Sequence, residues 1–143
     1  MNYLGKLVTK IGLISLFSVM PLAAQITYGV KFTTPFAFYV GDTQMPSGSY
    51  FLTQPNDLNN AIAIVKSADG LQSAFIGITP TQSLEPPRQS KIIFEKYGSS
   101  VYFNSVVLQG DPYGIAAEST KAEKKAKETA SVVEERSVAV AGQ

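Results

Sequence analysis

The chain has 143 residues, 12 basic against 11 acidic side chains, and no histidine, cysteine or tryptophan. Without histidine or cysteine it offers no Ser-His-Asp triad, no thiol nucleophile, no disulfide and no zinc site of the usual ligands. A near-neutral chain also gives no case from net charge for nucleic acid or an anionic membrane.

In chain order, the first segment reads as a secretory signal peptide over residues 1–24. Lys6 and Lys10 form a basic start, Ile11 to Met20 is an uncharged apolar run, and Pro21-Leu-Ala-Ala24 ends in small residues. As a transmembrane anchor the run is broken by Pro21 and falls short of the roughly 20 residues a spanning helix needs. No cysteine follows to carry a lipid. The expectation is a secreted chain, periplasmic or extracellular, beginning at Gln25 and 119 residues long. Removing Lys6 and Lys10 leaves ten basic against 11 acidic side chains. That length suits one domain with a single core.

From Gln25 to Ala117 charge is sparse, and short β-branched and aromatic runs alternate with turn formers. The spacing predicts strands over Ile26–Thr33, Phe36–Val40, Ser49–Gln54, Ala61–Lys66, Ser73–Thr79, Lys91–Tyr97 and Val101–Leu108. No stretch between them suits a βαβ crossover helix, so the sheets should be antiparallel. The expected fold class is mainly β: an antiparallel β-sandwich or open barrel of about seven strands with a C-terminal helix. In Phe36-Ala-Phe-Tyr-Val40 the alternation puts Phe36, Phe38 and Val40 on one face, and the return strand carries Tyr50 and Leu52. Core packing accounts for these aromatics without a ligand. In Lys91–Leu108, a two-residue Gly98-Ser99 loop would pair Phe94 with Phe103, Ile92 with Ser105 and Glu95 with Tyr102. A four-residue loop would instead pair Tyr97 with Tyr102 and Ile93 with Val106. The sequence leaves both open.

Residues 118–143 differ in chemistry. About half the positions from Glu118 to Arg136 are charged, with lysine and glutamate interspersed, and the segment reads as a charged helical or disordered tail. Thr120 and Glu123 have the spacing of a capping box, and Glu123 and Lys127 that of an i,i+4 pair. An alanine stripe buries little, so this tail is expected to contribute little to the stability of the β domain at 25–117.

Residues for chemistry are few. Asp42, Asp57, Asp69, Glu85, Glu95 and Asp111 are single and mostly in turns, where aspartate serves local backbone hydrogen bonds. Asn56-Asp57-Leu-Asn-Asn60 lacks the acidic density of a calcium loop. Gly110-Asp-Pro-Tyr-Gly114 lacks the lysine and helix start of a phosphate loop. No catalytic residue, cofactor or metal ligand is therefore assigned. The binding candidates are Arg88 with Tyr97 and Tyr102, a small polar-aromatic patch of the kind found at interfaces. The plainer reading is one exposed arginine and two half-buried tyrosines.

The combination of an N-terminal signal, PFAFYVGDTQMPSGSYFL, KIIFEKYGSSVYFNSVVL and an AEKKAK-type segment resembles a family of small uncharacterised secreted bacterial proteins. In that family a Pro-Phe-x-Phe-x-Val-Gly hairpin leads to a Leu-Pro-Ala-Gly-Thr-Tyr turn, then to a Phe-x-x-Tyr-Gly…Tyr-Phe hairpin and a Lys/Glu/Ala-rich end. Met45-Pro-Ser-Gly-Ser-Tyr50 stands here in place of the Leu-Pro-Ala-Gly-Thr-Tyr form. The resemblance covers most of the mature chain and implies export and a small fold, and it implies no site. The expected function is an exported, non-enzymatic structural or binding module of the cell envelope or exterior, whose partner is an unknown envelope protein. The alternatives are a carrier of a small apolar ligand in a barrel cavity and, after it, a carboxylate-based hydrolase.

Overall fold

The computed structural model describes residues 29–55 and 61–141. Residues 1–24, expected as a signal peptide, and the Asn56–Asn60 run lie outside the described residues. Among the described residues, ten strands and one helix follow in chain order: β1 (Gly29–Thr34), β2 (Phe38–Val40), β3 (Thr43–Met45), β4 (Gly48–Thr53), β5 (Ile62–Ser67), β6 (Ser73–Gln82), β7 (Lys91–Tyr97), β8 (Ser100–Val107), β9 (Tyr113–Ala117), α1 (Lys121–Thr129) and β10 (Val133–Ala141). Eight of the strands close into an antiparallel barrel in the order β1-β4-β5-β6-β9-β8-β7-β10, with β10 returning to β1. The small hairpin β2–β3 is added beside β8, where Tyr39 pairs with Tyr102 in parallel.

Period-two burial shows why these segments are strands. Along β1 Phe32 and Thr34 are buried while Lys31 and Thr33 are exposed; along β5 Ala63 and Val65 are buried. The inward faces meet in one core. Phe38 contacts the rings of Tyr50 and Phe94 edge-on, with centroids 5.1 and 5.2 Å away, and Phe32 stacks on Tyr50 at 5.7 Å. Phe103, Met45, Ile92 and Val40 complete a filled interior. Because β2–β3 folds over the end where β1 finishes and β4 begins, it plugs that end of the barrel. The Tyr50 hydroxyl donates to the Pro46 carbonyl there and fixes the plug to the wall.

The expected class holds, and the closure is tighter than expected: β9 bridges β6 and β8, so the sheet has no open seam there. The tail expectation is corrected. Residues 133–141 form a barrel strand, seven of whose residues pair with β7 and two with β1. Val138 and Val140 alternate onto the core, and Arg136 points the same way, its guanidinium 5.5 Å over the Phe36 ring. Residues 118–141 are therefore a helix followed by a structural stave, not a charged tail beside the β domain. Strand pairing here is favoured by β-branched Val at alternate positions, a period that the Glu-Glu-Arg run obscures.

The β7–β8 hairpin resolves the register. The Gly98-Ser99 loop has two residues, with Gly98 at φ 63°, and Tyr97 pairs with Ser100, Glu95 with Tyr102 and Phe94 with Phe103. Beyond Phe94 a bulge shifts the pairing to Ile93 with Ser105 and Ile92 with Val106, so neither simple register runs the full length. Phe36 lies just before β2 and is only half-buried, since the Thr34 hydroxyl hydrogen-bonds the Phe36 backbone and bends the chain.

Candidate functional site

Chemistry gathers outside the barrel wall, beneath α1. Since Ile92 and Phe94 point inward, Glu95 and Tyr97 stand on the outer face of β7, and Tyr102 lies across from Glu95 on β8. Tyr39 of β2 stacks on Tyr102 at 5.1 Å, and Tyr97 and Tyr102 have ring centroids 5.7 Å apart. The chain then crosses from β9 to β10 at the plugged end and lays α1 over this patch. The helix starts at a capping box. Thr120 Oγ1 accepts from the Glu123 amide at 3.2 Å, and the Glu123 carboxylate takes a hydrogen bond from the Thr120 backbone.

That cap turns Glu123 inward until it is only 4% exposed. The Tyr97 hydroxyl donates to Glu95 Oε2 and lies 3.5 Å from Glu123 Oε1, so one phenol sits between two carboxylates. Burial, and then the nearby Glu95 charge, push the Glu123 carboxyl above the usual carboxylate range, while Tyr97 and Lys127 pull it back in part. Burial and the hydrogen bond to Glu95 hold Tyr97 protonated far above an ordinary phenol. Burial and its neighbour Tyr39 likewise raise Tyr102. A phenol held in this way works as a fixed hydrogen-bond donor. The pair of acids converges, but under a helix rather than in a cleft.

Of the expected patch, Tyr97 and Tyr102 come together and are buried, whereas Arg88 does not join them. Arg88 is exposed before the start of β7, and Tyr97 ends that strand, roughly 20 Å away at about 3.3 Å per residue. The turn acids behave as backbone partners: Asp69 accepts from Ser67 Oγ at 2.6 Å and the Leu71 amide at 2.9 Å, and Asp111 accepts from the Tyr113 amide at 2.9 Å. Nothing in the sequence pairs Glu123 with Glu95, because its charged surroundings read as tail. The Thr120–Glu123 capping spacing was the available signal that this glutamate has a fixed position.

At the unplugged end, Val30, Leu52, Val106, Leu108 and Ile115 line an open cavity of about 250 Å³, with Gln54, Asp111 and Tyr113 at its rim. Among the described residues one aromatic side chain, Tyr113, borders it. Arg88 and Lys91 border a separate shallow depression of about 320 Å³. Comparison with known protein families, with curated proteins and with solved structures finds no match to this chain.

Proposed function

We propose that this chain is an exported, non-enzymatic structural or binding module of the cell envelope or exterior, working through its outer surface. The observation that carries the reading is the filled interior: Phe32, Phe38, Tyr50, Phe94 and Phe103 occupy the space in which a barrel would otherwise hold a ligand. The layout of residues 1–24 supports export. The converging pair Glu95 and Glu123 supports a structural role rather than hydrolysis, because Glu123 is buried and the phenol of buried Tyr97 lies between the two carboxylates. The experiment is affinity co-purification of the full chain from its native envelope. Recovery of a stoichiometric partner supports the binding module, and a chain recovered alone from the cytoplasm with Met1 intact contradicts the proposal.

A second reading, a carrier of a small apolar ligand, is favoured by the apolar mouth cavity. Its volume lies below the roughly 300–1,000 Å³ of ordinary ligand pockets, which ranks it second. Saturable binding of an apolar fluorescent probe, lost in Val106→Glu, would move the mouth reading to first place.

A further inference from the structure

The net charge hides a local segregation on the bare side of the barrel. The helix meets β7 through Glu123 and Tyr97, while β1, β4, β5 and β6 lie side by side with Lys31, Phe51, Lys66 and Phe75 exposed among the described residues. Register places Lys31, Phe51, Lys66 and Ser73 in one row across these strands. The next row is Gly29, Thr53, Ile64 and Phe75, and Ile62 and Gly77 form the one after it.

Phe75 is 64% exposed and Phe51 39%, and Leu71 protrudes from the β5–β6 turn beyond them. The Lys31 ammonium lies 5.6 Å over the Phe51 ring, and Lys66 sits opposite Phe51 on the other side. Neither lysine forms an ion pair with a described residue. Among the described residues the rows contain no carboxylate, and the acids at their borders are Glu118, packed against Gly77, and Asp69 in the β5–β6 turn. Two strands apart at about 4.8 Å each and two residues apart along the strand, the two positions stand roughly 12 Å from one another.

We infer that this face docks the barrel on an anionic lipid surface, the rings of Phe51 and Phe75 entering the headgroup boundary and Lys31 and Lys66 meeting lipid phosphates. The occupant follows from charge and shape. Cationic stems flanking aromatic rings put the apolar body in the interface and the ammonium groups at the phosphate level. A second copy of the same face would set Lys31 and Lys66 against their own kind, a like-charge contact that disfavours self-pairing. The inference rests on the outer surface being the working surface of the protein.

The test is co-sedimentation of the purified full chain with phosphatidylglycerol vesicles and, in parallel, with phosphatidylcholine vesicles. Binding is expected to the anionic vesicles, weakened by salt. Lys31→Ala and Lys66→Ala should each weaken it about five-fold, and Phe51→Ser/Phe75→Ser should abolish the remainder. All four side chains are exposed, and the lysine variants keep the rings while the serine variant keeps the charges, so one failed fold leaves the other to decide. The full chain is taken in its exported form, which begins near Gln25, and binding that persists undiminished in every variant would overturn the inference. Equal binding to both vesicles, or a dimer lost on Phe75→Ser without vesicle binding, would overturn it as well. Such a failure removes the lipid assignment alone; the surface reading is decided by the co-purification.

Discussion

Ending the chain at Ala130 removes β10, and the structure sets the size of the effect. That strand pairs through seven residues with β7 and two with β1, and among the described residues no other strand joins β7 to β1. At about 1 kcal/mol net per hydrogen bond, the lost ladder alone approaches the roughly 5–15 kcal/mol by which a domain is stable. The opened wall also bares the flank of Phe32, Ile92 and Phe94, each buried in the intact barrel, and adds the cost of exposing apolar surface. The truncated chain is therefore expected to lose cooperative folding. Urea denaturation followed by tyrosine fluorescence and circular dichroism reads this directly. A sigmoidal transition at the full-length midpoint would refute the reasoning and return residues 131–143 to the status of an appendage.

Phe38→Ala and Phe94→Ala should each cost about 3–5 kcal/mol in denaturant titrations, while half-buried Phe36→Ala costs visibly less; equal losses at all three would contradict the packing described. Glu123 has a folded-state pKa raised above its unfolded value. Its contribution is therefore fully present below the unfolded carboxylate pKa of about 4.3 and is lost as pH rises through the folded value. Glu123→Gln keeps the capping box and removes the charge facing Glu95. Its thermal midpoint should exceed that of the wild type at neutral pH and converge with it in acid, and parallel curves across that window would sink the assignment. Tyr97→Phe leaves Glu95 and Glu123 without their shared donor and should cost about 1–3 kcal/mol at neutral pH. An unchanged midpoint would show that the phenol is not what holds the two acids.

Local pattern made much of the barrel legible. The β7 span follows from Lys-Ile-Ile-Phe-Glu-Lys-Tyr alone, and the two-residue Gly98-Ser99 loop set the pairing nearest the turn. The bulge beyond Phe94 was not legible, because both registers offer apolar partners on both faces. Three strands escaped notice for different reasons. β3 is three residues long and exists only as the return of a hairpin. β9 begins at the Tyr-Gly of a Gly/Pro loop, where turn chemistry outweighs strand propensity. β10 carries Glu134, Glu135 and Arg136 ahead of its valines, and helix propensity in that run masks a period of two.

The candidate site was half legible on the same terms. Tyr97 and Tyr102 could be joined because they share a hairpin, whereas Glu123 reaches them only through the crossover of α1, a tertiary event with no local sequence signature. Arg88 was grouped with them by nearness in the chain, and a full strand length separates it from Tyr97.

Native mass spectrometry of the protein isolated from its source cells, after gel filtration in high salt, tests the filled interior most directly. High salt releases molecules held at the surface by charge, so only an enclosed ligand should survive it. The account expects the mass of the polypeptide alone. A stoichiometric small molecule still bound, with Val106 and Ile115 protected by it, would contradict the account and make the barrel mouth the functional site.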